Sequence, residues 1–469
     1  MKTGSITGTA LVLALLIVAA APAARAQDSH YWDSQFGTRS ELLGGLVVGA
    51  PTDLSATYYN PAWIALNRDA SLLLTTRAIE SYTIELENAL GTEADLSTST
   101  VGASPGYLAG RFTIGDGLGW TWAYTYLERV RFRYDAGGAL LGSDPLAAAD
   151  ETRWESVESY LLSEASENWY GVSFSKALRS NLAIGFSPYL AQRSQRSRVQ
   201  VAAGLLGGDG STADLNIVND YRYWHFRLLL KAGVALRSER WSAGLTITTP
   251  SLGLVSSAEV YERTYSADGI DPDNPLAEPY LSADAQDGLD AVWKSPLSVA
   301  LGGAVRIGHS RIHVTAEWFD AVGRFDVIDP EPYEIQSTPG EFQDYDYGYA
   351  AEAVLNYGAG VERFFSTHFS LFASYRLDRT TTPSDLDNRL NATSWDLHHV
   401  TGGASFELAG MEFTTGLQYS WGDADAREAL VIDPDVGAGS IGDEEPGTLK
   451  FTRMKALLGF NLPFGTMSE

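Results

Sequence analysis

From residue 69 onward the chain changes character at every second residue, in arms of ten or more residues. In Glu412–Trp421 the odd positions are Phe413, Thr415, Leu417, Tyr419 and Trp421, and the even ones are Thr414, Gly416, Gln418 and Ser420. Phe369–Asp378 and Met454–Phe464 split in the same way. A period of two sends successive side chains to opposite faces of a strand, whereas no helix would gather either set on one side. The connections alternate as well. Short turns are readable at Gly115–Gly117, Arg179–Asn181, Ser238–Arg240, Gly308–Ser310, Ser366–His368 and Ala409–Gly410. Long polar segments run over 87–101, 135–166, 201–217, 265–291, 326–346, 380–394 and 422–448. Six turns and seven loops join fourteen strands.

An even number of antiparallel strands, with short turns at one end and long loops at the other, is the layout of an outer-membrane barrel. In lipid an open sheet edge leaves backbone groups unpaired, so the sheet must close. The sequence therefore predicts an all-β fold, a transmembrane antiparallel β-barrel of fourteen strands over 69–469. Aromatic residues fall where strands would meet headgroups: Trp120, Trp122, Tyr124 and Tyr126 on one face of the third strand, and Trp169, Trp241, Trp318 and Trp421 near other strand ends. The soluble alternative, a sandwich or propeller, would carry polar residues on the outward face. A mean hydropathy of -0.11 is too polar for a helical membrane bundle, and after the first segment no run long enough for a spanning helix occurs.

Residues 1–26 read as a signal peptide, with Lys2 before the apolar stretch Ala10–Ala21 and a small-x-small site at Ala24-Arg25-Ala26. Cysteine is absent, which excludes disulfides and thiolate chemistry, and a net charge of -26 excludes a nucleic-acid binder resting on bulk basic charge. The acids concentrate in loops: Asp268–Asp290 and Asp326–Asp346 each hold seven and no Lys or Arg, and Asp423–Glu445 holds eight against Arg427. Solvation accounts for them. The sharper reading is extracellular Ca²⁺ on pieces such as Asp271-Pro272-Asp273-Asn274, although the spacing matches no EF-hand loop. No other metal or cofactor is expected.

Residues 27–68 do not alternate. They carry Gly44-Gly45, Gly49 and then Tyr58-Tyr59-Asn60-Pro61-Ala62, where Asn60 and Pro61 suit the start of a short apolar helix over 62–66. The segment resembles the outer-membrane FadL family of fatty-acid and hydrocarbon transporters. The resemblance is carried by Phe36-Gly37-Thr38-Arg39-Ser40, Leu43-Gly44-Gly45, Asp53 through Ala62, and Ser104-Pro105-Gly106-Tyr107-Leu108-Ala109-Gly110. Trp63 departs from it, standing where the family commonly has Gly. The resemblance implies that 27–68 is a hatch folded into the barrel lumen, that ligand first meets an extracellular groove between loop helices, and that it leaves sideways through a kink in the third strand.

The residues offer candidates for each part. Trp154, Val157, Tyr160 and Leu161 have helical spacing in the second long loop, fitting a groove or a helix packed on its own loop. Tyr189, Phe319, Phe372 and Leu457 are apolar at inward positions, while Arg306, Glu317, Arg376, Arg453 and Lys455 are inward charges suited to salt bridges or hatch contacts. On the second strand Pro105 removes a ladder donor and Gly106 a side chain. On the third, alternation fails at Leu127-Glu128, which would aim Glu128 at lipid if the strand ran straight. These readings converge on a monomer in the Gram-negative outer membrane, contacting lipid and a hydrophobic small-molecule ligand that it passes without energy coupling. The alternatives are a plugged barrel serving secretion or surface assembly, and a porin for polar solutes. Catalysis has no motif; adjacent His398 and His399 point to opposite faces of a strand and make a poor metal pair.

Overall fold

The computed structural model describes residues 29–67, 72–86, 96–112, 119–143, 154–206, 212–268, 279–383, 395–425 and 448–462. The signal-peptide region, the turn at Gly115–Gly117 and the Asp271–Asn274 piece lie outside them. Three four-residue helices come first: α1 (Arg39–Leu42), α2 (Ala56–Tyr59) and α3 (Trp63–Leu66). Strands β1 (Leu72–Leu86), β2 (Leu96–Phe112), β3 (Thr121–Ser143), β4 (Trp154–Arg179), β5 (Leu182–Leu206), β6 (Thr212–Arg237) and β7 (Trp241–Thr248) follow. Next are β8 (Leu252–Asp268), β9 (Tyr280–Leu289), β10 (Ser298–Ile307) and β11 (Ser310–Phe319). The short β12 (Val322–Asp326), β13 (Tyr333–Glu334), β14 (Phe342–Gln343) and β15 (Gly348–Ala351) precede β16 (Val354–Phe364), β17 (Phe369–Asp378), β18 (Leu397–Leu408), β19 (Met411–Asp425) and β20 (Thr448–Leu462).

Fourteen of these close into one antiparallel ring, β1-β2-β3-β4-β5-β6-β7-β10-β11-β16-β17-β18-β19-β20, with β20 paired back onto β1. Closure removes sheet edges from the wall. The two faces separate as the alternation requires. Leu417 and Met454 are 60% and 54% exposed on the outside, whereas their neighbours Gln418 and Lys455 are buried inside. At the Ala409-Gly410 turn both residues take positive φ, 54° and 75°, the geometry that joins two strands without splaying them.

Three departures from the sequence reading matter. The segments 135–166 and 201–217, read as loops, are largely strand: β3 runs to Ser143, β4 starts at Trp154, and β5 and β6 reach Leu206 and Thr212. At 26 residues β4 is more than twice the 9–11 needed to span lipid, so β3–β6 continue as a ribbon beyond the membrane. Trp154, Val157, Tyr160 and Leu161 accordingly lie in β4, not on a helix; each is laddered to β3 on one side and β5 on the other, and two rows of backbone bonds outweigh a helical spacing of apolar residues. Second, the wall is interrupted after β7. Thr249-Pro250-Ser251 separates β7 from β8, both of which pair with β6, and 290–297 separates β9 from β10. Pro250 has no donor for a ladder. Third, the charged Arg306 is exposed beside the turn before β11, and Trp169 is buried inside instead of lying at the lipid interface.

Residues 29–67 occupy the bore. They are bonded to the inner faces of strands on all sides: Tyr107 of β2 donates to Leu54 O at 2.7 Å, Tyr189 of β5 to Thr57 O at 2.8 Å, and Thr246 of β7 to Tyr59 O at 2.8 Å. Across the ring, Trp32 N donates to Asp378 of β17 at 2.9 Å and Arg453 of β20 meets Asp33 at 2.6 Å. Phe36, Leu42, Leu43, Val47 and Leu54 pack there against Tyr189, Phe372 and Leu457 in the main apolar cluster.

Candidate functional site

The quoted motif residues hold the hatch together from within. Asp53 accepts from Thr38 N and Oγ1 at 3.0 Å each, from Ser40 Oγ at 3.0 Å and from Ser55 N at 3.0 Å. One carboxylate thus ties the Phe36–Ser40 piece to the start of α2, which explains why these separated stretches carry the resemblance together. Gly45 takes φ of 76°, and a Cβ there would fall 1.7 Å from Gln35 Oε1. Tyr59 accepts from Phe36 N at 2.9 Å and donates to Gln35 at 2.8 Å.

Asn60-Pro61-Ala62 is the docking point on the wall. Asn60 Oδ1 accepts from Ala62 N at 3.1 Å, and its Nδ2 donates to Val48 O at 3.2 Å and Val234 O at 3.0 Å. The wall meets it with glycine. A Cβ at Gly185 would lie 2.5 Å from the Pro61 carbonyl carbon, and one at Gly233 would lie 2.2 Å from Asn60 Oδ1. Sequence reading did not pick out these sockets. Gly233→Val should loosen the hatch and lower stability by about 1–3 kcal/mol, as overpacking does; faster amide exchange over residues 57–62 checks it. Trp63, the departure from the family pattern, is accommodated by Ala123 of β3, Ala183 of β5 and Ala235 of β6, and its Nε1 donates to Val48 O at 3.2 Å.

Above the hatch is a cavity of about 60 Å³. Tyr58 forms its floor, with its ring 6.0 Å from Trp169, which lies 5.3 Å from Tyr189. Phe319 stacks on Tyr31 at 4.4 Å on the opposite side. The segment between β9 and β10 folds inward to cover it: Trp293 stacks 3.8 Å above the Arg193 guanidinium and 4.5 Å from Tyr349. A smaller space of about 10 Å³ lies deeper, sharing Tyr58, Lys231 and Glu317 with the first and reaching Gly45 and Val48 of the hatch. Tyr58 therefore sits at the constriction between the two.

Of the four lumen-wall candidates, Phe319 lines the cavity, Tyr189 backs Trp169, and Phe372 and Leu457 pack against the hatch. The inward charges Arg453 and Lys455 bind hatch and wall: Arg453 pairs with Asp33, and Lys455 Nζ lies 3.4 Å from Glu80. Of the four groove candidates, Leu161 packs beside Phe132 and Ala165, away from this cavity. Sequence reading missed Arg129, Lys231 and Trp293. The signal for Lys231 was present, because it shares the inward parity of Leu229 and Gly233 in an otherwise apolar run.

The strands named for a lateral gap do part company there. Thr75 pairs with Tyr107 and Thr76 with Pro105, leaving Gly106 as the extra residue of a bulge. β2 and β3 are paired from Phe112↔Trp122 only as far as Tyr107↔Leu127. Beyond that point β2 stays on β1 and β3 stays on β4. The bulge in β3 falls at Arg129, between Glu128↔Asn168 and Val130↔Glu167. The irregularity thus comes just after Leu127-Glu128, and Glu128 is buried instead of facing lipid. Arg129 and Val130 line the cavity. Among the described residues no three acids or histidines converge on a metal site. Acids of 326–346 disperse instead, Asp346 pairing with Arg324 at 2.7 Å and Glu334 accepting from Gly340 N.

The closed, fourteen-strand ring has the fold of FadL-type channels. It superimposes on a FadL homologue of Pseudomonas aeruginosa with a TM-score of 0.52, covering 93% of this chain and all of the other at 12% identity. The toluene transporter TodX of P. putida gives 0.51 over 92% of this chain and 98% of its own at 13% identity. The monoaromatic hydrocarbon channel CymD gives 0.51 over 91% and 97% at 11% identity. No protein-family model and no curated protein matches the sequence significantly.

Proposed function

We propose that this protein is a passive outer-membrane channel for small hydrophobic molecules, which settle over Tyr58 and leave sideways between β2 and β3. The observation that carries the reading is that the aromatic cavity sits above a hatch filling the bore and touches β3 at the residues where the wall parts. Apolar solutes gain roughly 0.8 kcal/mol per buried methylene, so a conduit for them needs such walls, and a filled bore does not suit free diffusion of ions. The structural neighbours named for toluene and monoaromatic hydrocarbons support the same substrate class.

Deleting Arg129 tests the exit. Removing the bulge residue leaves Glu128↔Asn168 followed directly by Val130↔Glu167, so the β3–β4 ladder keeps its register while the bend is lost. Cellular uptake of labelled toluene should fall several-fold, with the barrel still folded by its heat-dependent gel mobility. Arg129→Ala keeps the bulge without the guanidinium and should retain uptake. Unchanged uptake in the deletion variant would exclude this exit.

A further inference from the structure

We infer that the cavity over Tyr58 selects small aromatic carboxylates, benzoate-like monoanions, over uncharged hydrocarbons, with Lys231 holding the carboxylate. The inference deepens the transport reading above and rests on it. It begins with charge. In a chain of net charge -26 the cations lining this cavity outnumber the acids, Arg129, Lys231 and Lys294 against Glu167 and Glu317, and Arg193 and Arg227 stand just behind Glu167.

The two glutamates in the lining keep their charge, but their oxygens are bonded to other groups. Glu167 accepts from Trp169 Nε1 at 2.6 Å and meets Arg227 at 2.6 Å and Arg193 at 3.3 Å. Glu317 accepts from Trp32 Nε1 on one oxygen and from Ser298 Oγ on the other, both at 2.7 Å. Asp378 farther off is occupied by Trp32 N and by Asn356 Nδ2 at 2.6 Å. Lys231 is 5% exposed; its Nζ donates to Thr248 Oγ1 at 3.0 Å and lies 4.4 Å over the Tyr58 ring. Among the described residues no carboxylate comes within 4.0 Å of Lys231 or Arg129. Arg129 Nη2 donates to Tyr31 O, and its buried Nη1 has no partner there. Glu167 and Glu317 in the same lining offset these cations only from a distance, and an anionic ligand supplies a partner in direct contact.

Size and shape limit the anion. The space, about 60 Å³ and partly open, is smaller than the roughly 150 Å³ cavity that takes up benzene, so the anion must be small and reach into the open mouth. A long acyl chain would overrun it. Tyr58, Trp169 and Phe319 supply aromatic lining on two sides. One ring with one carboxylate meets both constraints, with the ring against the aromatics and the carboxylate toward Lys231 Nζ and Arg129 Nη1.

The test is equilibrium binding to detergent-purified full-length protein, read by tryptophan fluorescence and calorimetry, with benzoate, toluene and inorganic phosphate as probes. Benzoate should bind saturably, phosphate should not compete, and Lys231→Met should weaken benzoate roughly tenfold or more while leaving toluene unchanged, the loss expected for a charge-assisted hydrogen bond. Lys231→Arg should restore benzoate to within a few-fold of wild type, which a merely structural lysine would not require. Equal benzoate affinity in wild type and Lys231→Met overturns the inference, as does displacement by phosphate or absence of benzoate binding in wild type. Lys231-dependent binding in a protein that transports nothing would support the cavity assignment and sink the transport reading alone.

Discussion

Removing residues 27–66 should turn a silent barrel into a conducting one. A ring of eight strands is filled by its own side chains, while sixteen to eighteen leave an aqueous channel; fourteen lies near the open end of that range. The bore is occupied by the hatch, whose Phe36, Leu42, Leu43, Val47 and Leu54 form the apolar centre. The wall facing it contributes Arg376, Arg453, Lys455, Gln418 and Thr401, side chains that water would solvate once the hatch is gone. Deletion also removes Asp28, Asp33, Glu41 and Asp53 against the single base Arg39, a net loss of three negative charges, and takes the partner Asp33 from Arg453. The opened pore should therefore prefer anions. Planar-bilayer recordings of the two proteins are the measurement: steady, weakly anion-selective steps from the deletion variant and none from the full chain. A deletion variant that folds yet stays electrically closed would show that something other than residues 27–66 blocks the bore.

What could be read in advance depended on whether a residue's environment has a period. Strands that cross lipid have one apolar face and one mixed face, so β16–β20 announce themselves, and five of the turns between strands are where Gly, Asn or Ser clusters put them. Outside the membrane both faces of a strand meet water or polar neighbours. Ser163-Glu164-Ala165-Ser166 in β4 then has no alternation of hydropathy, and the sequence looks like a loop although its backbone is fully laddered to β3 and β5. The same blindness affects the cavity. Asn60-Pro61-Ala62 stood out as a local chain signal, but its sockets Gly185, Gly233 and Gly244 matter only because closure brings β5, β6 and β7 against the hatch. Trp293 could not be placed at all, because it acts from a break in the wall where strand periodicity stops. Arg129 was one or two residues from the disturbance noticed at Leu127-Glu128; the bulge that turns it inward is fixed by pairing with β4, which no local pattern records.

Leu417→Arg should cripple assembly, whereas Gln418→Glu one residue along should not. Leu417 points outward at 60% exposure and sits between two aromatic girdles. Phe413 stacks on Phe406 at 5.7 Å toward the short-turn end, and Tyr419 on Trp421 at 5.6 Å toward the long-loop end. Rings of that kind mark the two headgroup levels, which places Leu417 near the middle of the hydrocarbon. A guanidinium there costs about 2–4 kcal/mol, with no backbone break through which to reach water. Gln418 faces the bore at 2% exposure, directly across from Lys455 on β20, so a glutamate of the same shape gains an opposite charge as neighbour. Refolding into lipid vesicles, followed by heat-dependent gel mobility against urea, should show a large loss of folded fraction for the first variant and little change for the second. If both fold equally well, Leu417 does not face hydrocarbon. The outward row it shares with Met454, Leu458 and Phe460 would then need another partner, and a soluble oligomer would become the better account of the same alternation.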